Sequence, residues 1–207
     1  MVCWCRRSFI ALAAFLLLGN AVIYGAAAVA NATVSTTRVD GVEGVDKLRS
    51  VDGTVWRGAA PTEDGYRSLA EAGVTVVVDL RAEEDAADKD ELIESLGVRV
   101  VHLPIRDGQL PSAHEVSRFL AIVEKSKGFV FLHCGAGVGR TGAMAAAYVN
   151  ATGQANGPGS LAANLSVGPP SLEQIVFAAG GADDRPNPLV VGVSRFLDSP
   201  RRLLAIL

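Results

Sequence analysis

His133-Cys134-Gly135-Ala136-Gly137-Val138-Gly139-Arg140-Thr141-Gly142 lies between two apolar runs, Phe129 to Leu132 and Thr141 to Val149. The first run has the length and aromatic or β-branched character of a short buried strand, and the second fits a helix. A glycine-rich loop between a strand and a helix N-terminus can turn its N–H groups inward as a nest. The helix dipole adds positive potential at the same point. Gly135, Gly137 and Gly139 let the backbone close tightly. Such a cradle, Gly135 through Gly139, suits a tetrahedral dianion. It also favours a thiolate, which an unassisted cysteine with a pKa of about 8.5 scarcely forms at neutral pH. Arg140 stands one loop length from Cys134 and can hold two oxygens of one anion bidentately. Nucleophile, anion cradle and charge clamp therefore share ten residues. The plainer reading is a buried structural cysteine beside a glycine-rich turn, against which the loop glycines, the strand and the helix all count.

These residues closely resemble the signature loop of the cysteine-dependent protein tyrosine and dual-specificity phosphatases, HC-x5-R-[S/T]. A looser likeness runs from about Val55 to Val149, and the short chain fits the compact dual-specificity-like branch best. The resemblance implies hydrolysis of phosphate monoesters in two displacements through a phosphocysteine on Cys134. It implies that Arg140 and the N–H groups of Gly135, Ala136, Gly137, Val138, Gly139 and Arg140 hold the equatorial oxygens. Thr141 would hydrogen-bond the sulfur, and His133 would support the loop structurally. It implies no metal and no cofactor, since the protein supplies the positive charge.

A leaving oxygen needs a proton. Asp107 is the candidate acid: it lies in a loop just after a strand, 27 residues before Cys134, and the family's acid is a loop aspartate at about that separation. The competing reading is that Asp107-Gly108 simply makes a turn. Asp79, near the end of a buried strand, is a weaker alternative acid. Arg57, Arg81 and Arg106 each stand where a strand gives way to a loop. They can attract an anionic substrate or merely solvate the surface, and Arg106 is the preferred substrate contact. The loop interior carries no lysine, which favours a phosphotyrosine or dual-specificity protein substrate over phosphoinositides or inositol phosphates, the runner-up. A catalytically silent phospho-binding module and a sulfur transferase are the remaining readings. The first needs no acid, and Arg140-Thr141 argues against the second.

Outward from the loop, the chain reads as strand and helix in alternation. Leu48 to Arg57 forms an entry hairpin around Asp52-Gly53, and Thr62 caps a helix that Gly73 ends. Val74 to Leu80 holds five valines and leucines in seven residues, as expected of a parallel strand buried on both faces. Asp88 to Leu96 is helical. Val98 to Leu103 is a strand that Pro104 ends or makes an edge. Ser112 and Glu115 form a capping box, and Val116, Phe119, Leu120 and Val123 face the core. Gly153 to Gly159 reads as a linker, and Ser160 to Leu165 as a short helical turn. Ser171 caps a helix with Leu172, Ile175 and Val176 facing inward. Val190 to Leu197 is apolar with an ambiguous period, and Ser199-Pro200 caps a last helix through Leu204. The fold class is α/β, a mostly parallel central sheet flanked by helices.

The chain has 207 residues and a formal net charge of −3. No basic stripe points to nucleic acid. Residues 1–32 read as an export segment: Arg6 and Arg7, an apolar run from Phe9, then Ala30-Asn31-Ala32 as a small-x-small cleavage site. Arg6-Arg7 also suits twin-arginine export. Residues 9–30 are long enough for an uncleaved membrane tether, and arginines before the span place the domain outside in either case. Residues 33–47 read as a flexible lead-in and 48–207 as one phosphatase domain acting on a phosphorylated protein, small molecule or lipid. Cys3 and Cys5 precede the apolar run, so Cys134 has no internal disulfide partner and the fold rests on its core.

Overall fold

A computed structural model describes residues 2–180, 182 and 186–200, with side chains from Ile10 onward. After helix α1 (Val2–Thr33) come β1 (Arg49–Ser50), β2 (Val55–Gly58), α2 (Glu63–Glu71) and β3 (Val74–Arg81). A 3-10 turn at Glu84–Ala87 leads to α3 (Asp90–Ser95), β4 (Arg99–Ile105), α4 (Ala113–Lys125) and β5 (Phe129–His133). Four helices follow: α5 (Gly139–Ala151), α6 (Gly157–Leu165), α7 (Leu172–Ala179) and α8 (Pro188–Leu197). The five strands lie in the order β1-β2-β5-β3-β4. β1 pairs antiparallel to β2, and every other pairing is parallel. Pro104 is tolerated within β4 because β4 is an edge.

Side-chain alternation divides β3 and β5 between two cores. Val76, Val78, Leu80, Val130 and Leu132 pack against Phe119 and Ile122 of α4 and Met144, Ala145 and Tyr148 of α5. Val77 and Phe131 face the other way, onto Tyr66 and Leu69 of α2 and Ile93 of α3. The local signals for these helices are met by contact. The Thr62 side chain accepts from the Gly65 N–H, and Ser112 with Glu115 closes a full capping box. Gly73 and Gly97 take φ of +95° and +76° just after α2 and α3, a backbone that L side chains rarely adopt.

Four expectations need correction or reach past the structure. The lead-in is packed rather than free: Val39, Val42 and Val45 lie against the α2 core, and Gly44 O accepts from Thr62 N at 3.0 Å. Its valines recur every third residue and so reach one surface. Part of the expected linker is helix, because Asn156 caps α6 by accepting from the Gly159 N–H, with Pro158 in the first turn. On α7 the buried face is Glu173, Gln174, Phe177 and Ala178, while Val176 is exposed. Side-chain hydrogen bonds of Gln174 to Ser171 N and Gln109 O override the apolar pattern there. The expected last helix through Leu204 extends outside the described residues.

α1 lies along α6 and α8 through Ile23, Ala27 and Ala30, with Asn31 Nδ2 donating to Ser166 O at 2.6 Å and Asn20 Nδ2 to Leu197 O at 3.1 Å. Ile10–Thr33 is long and apolar enough to cross a membrane, and Leu17, Leu18, Val22 and Val29 are exposed.

Candidate active site

β5 ends at the carboxyl edge of the parallel strands, the edge at which open α/β sheets bind ligands. It delivers Cys134, 2% exposed, to the start of the loop. The loop's carbonyls are held from outside. Gly135 O accepts from Ala60 N at 2.9 Å, and Ala136 O from Lys47 Nζ at 3.1 Å. Gly137 O and Val138 O accept from Arg57 Nη2 at 3.0 and 3.3 Å. Among the described residues no acceptor meets the N–H groups of Gly135 through Arg140. That is the geometry of a nest. Gly137, at φ +70°, lies so close to Gly58 and Ala59 that a Cβ there would overlap their backbone.

Arg140, in the first turn of α5, is buried and held by a residue the sequence did not single out. Its Nη1 and Nη2 donate to Glu83 Oε2 and Oε1, both at 2.8 Å, and Nη1 also donates to Ile105 O at 3.1 Å. Its Nε is buried with no hydrogen-bond partner, 3.5 Å from Asp107 Oδ1. Thr141 Oγ1 is likewise buried without a partner, so the expected bond to sulfur is not made in this state. Burial works against the Arg140 charge, but the Glu83 bond and the neighbouring Cys134 and Asp107 outweigh it and raise its pKa. The same bond holds the Glu83 carboxyl below its ordinary range. Glu83→Gln removes that charge while keeping a planar side chain. It is expected to lower kcat/KM for a phosphate monoester by about tenfold (~1.4 kcal/mol) by loosening Arg140. Steady-state kinetics with an unchanged melting temperature would check it.

His133 and Cys134 point to opposite sides of the sheet, as adjacent strand residues must. His133 is fully buried, with Nδ1 3.2 Å from Cys134 O and Nε2 3.4 Å from the Tyr66 hydroxyl. Asp79 Oδ2 lies 3.8 Å from Nε2 and pairs with Arg81 at 2.8 Å. Asp79 is thus engaged by Arg81 and His133 on the far face of the sheet, which counts against it as an acid. Arg81 is its partner, not a rim residue, and Arg57 supports the loop from outside. Burial depresses His133 to about 4. The unfolded chain therefore binds the extra proton between its ordinary pKa of about 6.5 and 4. Stability from this group is complete above 6.5 and falls as the pH drops through that window, by about 3 kcal/mol at most. Urea unfolding at pH 7 and pH 5 should show the loss, and His133→Gln should flatten it.

Asp107 sits in a turn closed by Gln109 N donating to Arg106 O at 3.0 Å, with Gly108 at φ +74°. Its side chain is largely exposed at the mouth of the site. Arg106 is exposed beside it. The turn is braced by the start of α7: Gln174 Nε2 donates to Gln109 O at 3.2 Å, and Ser171 Oγ to Gly108 O at 3.4 Å. The cap at Ser171 was read from the sequence, but not that Ser171 and Gln174 reach the Asp107 turn.

Comparison with known proteins agrees with this geometry. A family model described as a DSP-PTPase phosphatase fused to NAD+ kinase matches residues 26–177. A protein of Oryza sativa subsp. japonica, "Probable NAD kinase 2, chloroplastic", is 43% identical over 96 residues. That match covers 43% of this chain and 10% of the rice protein, so the chain spans about a tenth of that relative's length. P. aeruginosa TpbA in complex with phosphotyrosine superposes with a TM-score of 0.56 at 21% identity, covering 80% of this chain and 96% of TpbA. PTPMT1 in complex with PI(5)P gives a TM-score of 0.57 at 19% identity, covering 72% of this chain and 99% of PTPMT1. Both share the fold, a parallel sheet with helices on its two faces. With its HC-x5-R-T loop on that fold and the family match over most of its length, the chain belongs to the DSP-PTPase family and is a cysteine-dependent phosphatase.

Proposed function

We propose that the protein removes phosphate from phosphorylated tyrosine, or from tyrosine and serine/threonine, in protein substrates outside the cytoplasm. The observation that carries the reading is a set of donors without hydrogen-bond acceptors in the loop after Cys134: the N–H groups of residues 135–140 and the buried Nε of Arg140. Gly137, Val138 and Arg140 are buried, and buried donors are almost always paired, so this set fits an oxyanion that substrate supplies. Cys134 attacks phosphorus as a thiolate, the P–O bond breaks, and Asp107 gives its proton to the leaving oxygen. In the second displacement water attacks phosphorus, and Asp107, now a carboxylate, takes the water's proton. The P–S bond breaks with its electron pair returning to sulfur, and the Thr141 hydroxyl turns to donate to it.

The choice of substrate rests on the uncharged loop interior and on the fold shared with TpbA, which was solved with phosphotyrosine. A phosphoinositide reading is kept by two observations. PTPMT1, of the same fold, binds PI(5)P, and Lys47 with exposed Arg106 places positive charge at the rim. Export rests on the apolar α1, as a cleaved signal or as a tether through residues 9–30.

The test is phosphate release by the full chain in reductant and chelator, comparing a phosphotyrosine peptide with PI(5)P. A higher kcat/KM on the peptide is expected. A preference for the lipid overturns the protein assignment, and silence on both returns the site to phospho-binding. Fractionation with N-terminal sequencing reports export, and a mature terminus at Thr33 marks cleavage.

A further inference from the structure

A second cavity, of about 250 Å³, is bounded by β1, α5, α6 and the chain just after α1, and it includes none of residues 134–140. Its polar wall is unusual. Arg57 is 4% exposed and donates Nη1 to Asn164 Oδ1 at 2.6 Å and Nη2 to the phosphate loop, yet its Nε is buried with no partner. Ser160, also 4% exposed, leaves its Oγ unpartnered. Arg49 lines the same cavity, with Nε donating to Thr36 Oγ1 at 3.1 Å and Nη1 to Leu48 O at 2.7 Å.

Two guanidiniums thus share a cavity whose described lining has no carboxylate. Asp52, close by in sequence, is already engaged by the Tyr148 hydroxyl at 2.7 Å, by Gln154 at 2.9 Å and by the N–H groups of Thr54 and Val55. Burial depresses Arg57 to about 10, and burial together with Arg38 lowers Arg49. Charge buried beside like charge is costly unless a counter-ion accompanies it.

We propose that this cavity binds a small oxyanion, a carboxylate or phosphate, between the Arg57 Nε, the Ser160 hydroxyl and Arg49. The site is distinct from the catalytic anion cradle and goes beyond the phosphatase reading. It is joined to that cradle through one side chain: Arg57 lines the cavity, has an unpartnered Nε, and donates Nη2 to Gly137 O and Val138 O. An occupant would therefore be linked to loop geometry, and the linkage must run both ways.

Calorimetric titration of the full chain with inorganic phosphate tests this, with acetate in a parallel arm to separate phosphate from carboxylate preference. Arg140→Ala disables the catalytic cradle and leaves the second cavity intact. The wild type is expected to bind two phosphates and Arg140→Ala one, or one acetate if carboxylates are preferred. Adding Arg49→Gln to Arg140→Ala should weaken the remaining site by about tenfold or more. Adding Ala163→Leu, which narrows the cavity without changing charge, should do the same, and thermal melts confirm that each variant is folded. No binding of either anion by Arg140→Ala up to about 50 mM, where even weak sites register, overturns the proposal. So does residual binding that a folded Arg49→Gln or Ala163→Leu variant leaves unchanged, which would mark an adventitious ion only. Because the readout is binding and not turnover, failure here leaves the phosphatase reading untouched.

Discussion

Cys134→Ser is expected to lower kcat by about 10⁵-fold or more, the scale on which other covalent enzymes suffer when their nucleophile is removed. The argument begins with burial. Cys134 is 2% exposed at the mouth of the nest, so little bulk water competes for the same position. A serine hydroxyl fits the space but ionises far less readily than a thiol, and the site offers it no adjacent base. His133 cannot serve: it lies on the other face of the sheet, and its ring is held neutral by burial, with a pKa of about 4. The donors of Gly135 to Arg140 are untouched by the substitution, so phosphopeptide binding should persist. Calorimetry would then show a Kd within about threefold of the wild-type value while phosphate release disappears, an energy change well under 1 kcal/mol. Turnover within tenfold of wild type would mean that the nucleophile lies elsewhere.

Asp107→Asn is the second large effect, and it depends on the leaving group. With phosphoserine or phosphotyrosine peptides, whose alkoxide or phenoxide leaves poorly unprotonated, kcat should fall about 10²–10⁴-fold, the usual span for loss of a general acid. With p-nitrophenyl phosphate, whose leaving group is stable as an anion, the loss should be much smaller. The position of the carboxyl makes this credible. Asp107 Oδ1 lies 3.5 Å from Arg140 Nε, the donor that also awaits the phosphate. The basic limb of the pH–rate profile should vanish along with the rate on peptides. An equal loss on both substrates would reassign Asp107 to orienting Arg140, because an interaction that acts only through the arginine does not depend on the leaving group.

Much of the site was legible because it is local. The strand, loop and helix that carry Cys134, Arg140 and Thr141 are contiguous, and their glycines, apolar runs and charge report directly on backbone geometry. Thr62 and Ser112 announced their helices for the same reason, since a cap is satisfied within three residues. Polar residues that work at a distance were opaque. Glu83 sits in a charge-dense segment that reads as solvated surface, yet it closes on Arg140, 57 positions away. Gln174 breaks the apolar pattern of α7 because its side chain donates to Gln109 O in the turn that carries Asp107. Arg57 read as a strand-end cation, for substrate or for solvent, and is a brace for the loop that also lines a second cavity.

The sequence by itself determined the phosphatase family, through the likeness of its HC-x5-R-T loop, together with the parallel α/β architecture and the apolar N-terminal segment. The last two are written in short-range spacing of apolar, glycine and capping residues. Only the tertiary structure decided what holds Arg140, what braces the turn at Asp107, that Arg81 is tied to Asp79 and Arg57 to the loop, and that Arg49 and Arg57 share a cavity whose described lining has no carboxylate. The physical reason is that a parallel sheet is closed by crossovers. It brings together the ends of strands far apart in the chain, and partners chosen by that closure leave no periodic trace in the sequence.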